Sequence, residues 1–189
     1  MSHIIRPTGQ LLHRLRAHLR QGGIIAYPAE ACYGLGCLPR HAIALKRIIA
    51  LKKRPQHKGL IVVGANWSQL QSLLMPLPAS EVQAIQNLWP APTTLLLPVK
   101  PIVPISLRGK SRHTLAVRVP DSALSRFLCR TLGTALVSTS CNRAGKKNCR
   151  QEREVLRQFG RQVMVVGGRT GGRKQPSQII NWQSGQRLR

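Results

Sequence analysis

The sequence predicts a single α/β domain built on a twisted mixed sheet, and three observations predict it. Short apolar, strand-like runs alternate with amphipathic helical segments along the whole chain. No repeat or low-complexity linker interrupts that alternation. The length, 189 residues with 42% hydrophobic residues, suits one domain with a real core.

Taken in order, Thr8 is placed to cap a helix whose Leu11, Leu12, Leu15 and Leu19 share one face, and Gly22-Gly23 ends it. Ile24-Ile25-Ala26-Tyr27 reads as a short buried strand stopped by Pro28. The stretch Pro28 to Pro39, with Gly34 and Gly36, reads as turns. His41 to Lys53 has a helical period, with Ile43, Ile48, Ile49 and Leu51 apolar and Lys46, Lys52 and Lys53 at the surface; Pro55 bars its continuation. Leu60 to Val63 is the next strand. Asn66 and Ser80 are the expected N-caps of two short helices, the first containing Leu70, Leu73 and Leu74. Thr93 to Leu97 and Thr114 to Val119 read as strands. Asp121 is the expected cap of a helix reaching Leu132, closed by Gly133. Ala135-Leu136-Val137 is a small strand that delivers Ser138-Thr139-Ser140 into a loop. A helix from Glu152 to Phe159 and strands near Val163 to Val166 and Gln178 to Ile180 complete the chain.

Thirty Lys and Arg face five acids, Glu30, Glu81, Asp121, Glu152 and Glu154, for a net charge of +25. A field of that sign favours an anionic partner, a nucleotide or a nucleic acid, although a solvated basic surface would give the same count. The scarcity of acids excludes most paired-carboxylate mechanisms and all-protein magnesium cages. A divalent metal, if used, would take its ligands from the substrate's phosphates. Cys32, Cys37, Cys129, Cys141 and Cys149 show neither a CxxC pair nor zinc-ribbon spacing, and are expected as reduced thiols. No apolar run approaches the roughly 20 residues that cross a bilayer. Met1 to Gln10 lacks the features of a secretory signal. A soluble, cytoplasmic protein without membrane contact is expected.

No Walker A motif, GxGxxG turn, nucleophile elbow or HExxH is present. The Gly167 to Gly172 run lacks the strand-to-helix context of a phosphate loop and reads as turns. What remains is a set of basic and hydroxyl residues at strand ends and helix exits. Lys52, Arg54 and Lys58 leave one helix together. Arg118 sits in an otherwise apolar strand, on the face of Ala116 and opposite Val117 and Val119, where a charge needs a partner or a solvent-filled cleft. Glu30 and Asp121 are both available as partners. Ser138, Ser140 and Asn142 follow an apolar strand, where sheets present ligand groups.

These residues fall in blocks that resemble the YrdC/TsaC family of threonylcarbamoyl-AMP synthases, which is related to the nucleotide-binding domain of hydrogenase-maturation carbamoyl transferases. The blocks are Ala26-Tyr27-Pro28-Ala29-Glu30 with Tyr33-Gly34-Leu35-Gly36, Lys52-Lys53-Arg54-Pro55 followed by Lys58-Gly59-Leu60-Ile61, Leu88-Trp89-Pro90-Ala91-Pro92-Thr93-Thr94, Leu115-Ala116-Val117-Arg118-Val119, Ser138-Thr139-Ser140-Cys141-Asn142, and Thr170-Gly171-Gly172 leading to Pro176-Ser177. They lie in the family's order from about residue 23 to 180 of a single YrdC-like domain spanning residues 1–189. The length resembles the short bacterial form.

The resemblance implies a basic concave groove across the sheet and a tetrad of Lys52, Arg54, Ser140 and Asn142 as the catalytic set. It implies ATP binding by Lys52, Arg54, Lys58, Thr114 and Ser140, and threonine binding by Arg118, Ser138 and Ser177, with no protein metal site. The reaction implied joins L-threonine, bicarbonate and ATP into L-threonylcarbamoyladenylate and pyrophosphate, with Mg²⁺ carried by the phosphates. The product would pass to a partner complex that modifies tRNA. Such chemistry needs positioning and charge stabilisation more than a protein nucleophile. Three positions depart from the family pattern. Ala29 replaces a threonine, removing a hydroxyl worth about 0.5–1.5 kcal/mol toward the amino acid. Cys141 replaces an alanine, and Arg169 stands where an acid is common. The competing hypothesis is an RNA-binding module for double-stranded or structured RNA with weak or lost catalysis. Two Phe, two Tyr and three Trp leave few stacking platforms, so such binding would be led by backbone and shape.

Overall fold

The computed structural model describes residues 7–55 and 57–189. Of the Met1 to Gln10 segment read above for a signal, Met1 to Arg6 lies outside the described residues. The chain runs α1 (Gly9–Arg20), β1 (Ile25–Pro28), β2 (Tyr33–Gly36), α2 (Ala42–Lys52), β3 (Ile61–Val63), α3 (Trp67–Gln71), α4 (Ala79–Leu88), β4 (Thr93–Pro98), α5 (Ile105–Arg108), β5 (Thr114–Arg118), α6 (Ala123–Leu132), β6 (Leu136–Ser140), α7 (Glu152–Phe159), a 3₁₀ turn, β7 (Met164–Val165) and β8 (Gln178–Asn181). These form one α/β domain on one twisted mixed sheet of eight strands, ordered β7-β1-β2-β6-β3-β5-β4-β8.

Most expected caps are present. The Thr8 side chain accepts from the Leu11 amide, the Asn66 side chain from the Gln69 amide, and Gly133 closes α6 at φ 72°. Two caps differ. Ser122, not Asp121, caps α6, because its hydroxyl meets the Ser125 amide at 3.2 Å. At α4 the cap position is Pro78, with no side-chain cap bond, and Ser80 lies inside the helix. Two elements escaped the sequence reading. β2 occupies what read as turns, and α5 is a single turn with too short a periodic pattern to register. β6 also runs on through Ser138-Thr139-Ser140, which read as a loop.

Register explains where the site forms. Tyr27 pairs with Gly34 and Gly34 with Ser140; Ser138 pairs with Ile61, and Ile61 with Ala116. Strand alternation therefore puts Tyr27, Gly34, Ser138, Ser140, Ile61, Ala116 and Arg118 on one face. On the opposite face, Ala26, Leu35, Val62, Val117, Val137 and Leu95 share a core with Ala44, Leu45 and Ile48 of α2 and Ile85 of α4. Leu12, Leu15 and Leu19 of α1, with Leu124 and Leu128 of α6, cover only one corner of the first face, against Ile25, Tyr27, Val63 and Leu136. The small residues of the remainder leave a hollow. Gly36 has no room for more: a Cβ there would stand 2.8 Å from the Val137 carbonyl oxygen. Among the described residues no helix is long and apolar enough to cross a membrane.

Candidate functional site

The hollow is a cavity of about 230 Å³ whose lining comes from widely separated parts of the chain. Ala29 to Gly34 form one wall, Arg54 and Ile61 a second, Arg118 with Ser138, Thr139 and Ser140 the floor, and Arg173 to Ser177 a strap across the rim. Pro92, Asn148, Arg150 and Arg189 complete it. Six of the lining residues are cationic (Arg54, Arg118, Arg150, Arg173, Lys174 and Arg189) and one, Glu30, is acidic. Such a field favours a polyanion, with one negative point inside it.

At the end of β6 the chain is knotted by Lys52. The sequence reading placed this lysine at the surface, but it is only 5% exposed. Its ammonium donates to the Ser140 carbonyl, to the Asn142 carbonyl at 2.9 Å and to Asn142 Oδ1 at 3.0 Å. A helix-end lysine is buried here because the loop after β6 turns its carbonyls inward, and a cation satisfies them. Burial, followed by the charge of Arg54, lowers the Lys52 pKa to about 8. The Ser140 hydroxyl donates to Asn142 Oδ1 at 2.8 Å, and Asn142 Nδ2 donates to the Arg143 and Lys146 carbonyls. Lys52, Ser140 and Asn142 are thus one hydrogen-bonded unit. Ser140 faces the cavity, with Lys52 and Asn142 holding it from behind.

Arg54 reaches the cavity because α2 ends in a tight reversal. Lys53 adopts the left-handed conformation at φ 50°, and the Lys53 and Arg54 amides return to the Ala50 and Ile49 carbonyls. The guanidinium then donates to the Lys58 carbonyl at 3.0 Å and the Gly59 carbonyl at 2.8 Å. Burial first, then Arg112 and Arg189, lower its pKa. The α5 turn supports this segment: the Leu60 amide bonds the Leu107 carbonyl, and a Cβ on Gly59 would stand 2.5 Å from the Arg108 carbonyl oxygen.

Arg118 pairs with Glu30, not Asp121. Nη1 lies 3.3 Å from Oε1, and Nη2 donates to Oε2 at 3.4 Å. Both residues are 8% exposed. The strap holds Glu30 in place: the Gly171 amide bonds the Ala29 carbonyl at 2.9 Å, the Arg173 amide bonds the Glu30 carbonyl at 3.0 Å, and the Tyr33 hydroxyl donates to the Gly168 carbonyl at 2.8 Å. Gly171 lies so close that a Cβ would stand 3.0 Å from the Glu30 carbonyl oxygen. The glycine run therefore forms the turns of a strap. Its far end carries Ser177, whose hydroxyl shares a 3.0 Å hydrogen bond with that of Thr94. Arg189 closes over this pair, donating to the Ser177 carbonyl at 3.0 Å and to its hydroxyl at 3.3 Å.

Of the residues expected from sequence, Arg54, Arg118, Ser138, Ser140 and Ser177 line one cavity, and Lys52 and Asn142 adjoin it through Ser140. Lys58 is exposed and outside the lining; its carbonyl accepts from Arg54. Thr114 shares the face of Ala116 and Arg118 but also lies outside the lining. Asn148, Arg150, Arg173, Lys174 and Arg189 were missed. They come from irregular segments with no periodic signal, and Arg189 is brought in by pairing of the chain end with β8, where the Leu188 amide bonds the Ile179 carbonyl and the Ile179 amide bonds the Arg189 carbonyl. The five cysteines are free, and Cys32, in the lining, has its pKa raised by burial.

The Sua5/YciO/YrdC family model, described as telomere recombination, matches residues 17–189. The chain is 57% identical over 189 residues to the threonylcarbamoyl-AMP synthase of Neisseria gonorrhoeae, covering 100% of this chain and 98% of that one. The crystal structure of P. abyssi Sua5 complexed with L-threonine superposes with a TM-score of 0.82 at 29% identity, over 93% of this chain and 52% of that longer one. The crystal structure of E. coli YciO, at 24% identity, shares the fold with a TM-score of 0.79 over 94% of this chain and 86% of its own.

Proposed function

Because the chain belongs to the Sua5/YciO/YrdC family, we propose that it is a threonylcarbamoyl-AMP synthase, forming L-threonylcarbamoyladenylate and pyrophosphate from L-threonine, bicarbonate and ATP. One observation carries this reading beyond the family. Guanidinium groups and hydroxyls from separate strands and loops face a single hollow, with one carboxylate among them.

The reaction condenses threonine's amine with bicarbonate, releasing water, to give a carbamate. A carbamate oxygen then attacks the α-phosphorus of ATP, and the bond to the β-phosphate oxygen breaks, expelling pyrophosphate. No protein nucleophile is needed. In our assignment Arg54, joined by Arg150, Arg173, Lys174 and Arg189 at the rim, offsets phosphate charge as it shifts toward the leaving group. Lys52 and Asn142 act through Ser140, fixing its hydroxyl where the nucleotide lies. Lys58 and Thr114 extend the nucleotide path beyond the cavity. Arg118 takes the threonine carboxylate, with Ser138 and Ser177 beside it. Ala29 lines this wall without the hydroxyl that the family pattern has there. Mg²⁺ would be held by phosphate oxygens, since Glu30 is the carboxylate of the lining and is engaged by Arg118.

The adenylate would be consumed by a tRNA-modifying partner in the cytoplasm. For the RNA-binding alternative the cavity offers no base-stacking platform, because Tyr33, the aromatic residue of its lining, is fully buried. The test is pyrophosphate release by purified protein with ATP, with product identified by mass spectrometry. Release is expected only when threonine and bicarbonate are both present. Release that ignores either addition would refute the assignment.

A further inference from the structure

Resting on that reading, we propose that Glu30 receives the ammonium group of the amino-acid substrate, making it a specificity-determining residue for a free α-amine. Threonine enters as a zwitterion, and its carboxylate and ammonium sit on one carbon. A site built only of cations would bind the first and repel the second. Glu30 is the anionic residue among the six cations of the lining, and it stands directly beside Arg118.

The pair is also incomplete. Its contacts, 3.3 and 3.4 Å, are longer than the roughly 2.7–2.9 Å of a close charge-assisted hydrogen bond. Glu30 Oε1 and Arg118 Nε are both buried and have no hydrogen-bond partner. Oε1 keeps only its 3.3 Å ion pair with Nη1; leaving such atoms without a hydrogen bond is costly, and an acceptor and a donor are left over on the same ion pair. An α-amino acid satisfies both at once: its ammonium donates to Oε1 while its carboxylate accepts from Nε. A second carboxylate would satisfy only the donor, and a neutral N–H or O–H group would bond Oε1 without matching the charge of Glu30. The strap supports this role, since its bonds to the Ala29 and Glu30 carbonyls fix the backbone from which the carboxylate projects.

The experiment is calorimetric binding of L-threonine and of 2,3-dihydroxybutanoate, the analogue in which a hydroxyl replaces the ammonium, to the full chain and to Glu30→Gln. The wild type is expected to prefer threonine by about tenfold to a hundredfold. Glu30→Gln is expected to lose that preference, with threonine weakened and the analogue unchanged. Equal loss of both ligands would show that Glu30 only orients Arg118. Unchanged threonine affinity, or tighter binding because Arg118 is released, would equally overturn the proposal. Glu30→Asp, which keeps the charge one methylene back, is the second variant and should retain part of the preference; complete loss there would also overturn it. If the glutamine variant does not fold, equal wild-type affinity for the two ligands would refute the proposal. A wild type that binds threonine but makes no adenylate would instead refute the assigned reaction and leave the amine contact standing.

Discussion

Replacing Lys52 by methionine separates charge from shape at the centre of the site. Methionine fills a similar volume but removes the ammonium, so the Ser140 carbonyl, the Asn142 carbonyl and Asn142 Oδ1 each lose a donor. A hydrogen bond to a charged group contributes about 1.5–3 kcal/mol. Against these contacts stands the desolvation of the ammonium, which is what lowers its pKa to about 8. The opposed effects leave a net loss of stability of about 1–3 kcal/mol, within what the fold should survive. Turnover should fall much further, because Ser140 and Asn142 lose their common anchor. The pH dependence identifies the cause. With a pKa of about 8, the ammonium is roughly 90% charged at pH 7 and roughly 10% charged at pH 9. If the charge is needed, kcat/KM for ATP declines about tenfold per pH unit above pH 8. The sign for stability is opposite. Between about 8 and the ordinary lysine value of 10.5 the unfolded chain holds the proton that the folded one has released, so Lys52's contribution to stability rises with pH across that window. Pyrophosphate release followed from pH 6.5 to 9.5 should show an alkaline limb in the wild type and none in Lys52→Met. Threonine's own amine titrates identically in both assays, so the difference isolates the lysine. Parallel profiles would refute the role given to its charge.

Further outcomes follow from other parts of the structure. Gly36→Ala should destabilise the fold by about 1–3 kcal/mol, since the new methyl meets the Val137 carbonyl oxygen at 2.8 Å and Tyr27 at 2.9 Å; thermal unfolding measures it. Lys53→Gly should raise stability by up to about 1 kcal/mol, by relieving a non-glycine residue at φ 50°, with turnover unchanged. Arg189→Ala should raise KM at least severalfold without lowering the melting temperature appreciably, because this arginine closes the cavity over Ser177 while leaving the sheet pairing at Ile179 intact.

The chain showed its fold class readily, and its site only in part. Long amphipathic stretches such as α2 and apolar runs such as β4 announce themselves because burial on one face is written into their spacing. β2 did not, because two of its four residues are glycines, chosen for the close approach of Tyr27 and Val137 and not for strand propensity. Ser138 and Ser140 read as loop for a related reason: a strand whose open face meets a cavity carries polar side chains where a core-facing strand carries apolar ones. Lys52 was misplaced because periodicity reports a helix face but cannot foresee carbonyls delivered from ninety residues away, at Asn142. Arg150, Arg173 and Arg189 depend on long-range pairing that no local pattern encodes.

The position of β6 in the sheet has a dynamic consequence. It is the seam between a half formed by β7, β1 and β2 and a half formed by β3, β5, β4 and β8, antiparallel to both of its neighbours. The hydroxyls of Ser138 and Ser140 therefore ride on a strand that cannot fray from an edge, and parting it means dividing the molecule. Amide hydrogens at Val137 and Cys141, bonded to the Cys37 and Tyr33 carbonyls, should exchange with solvent only as fast as the whole domain opens.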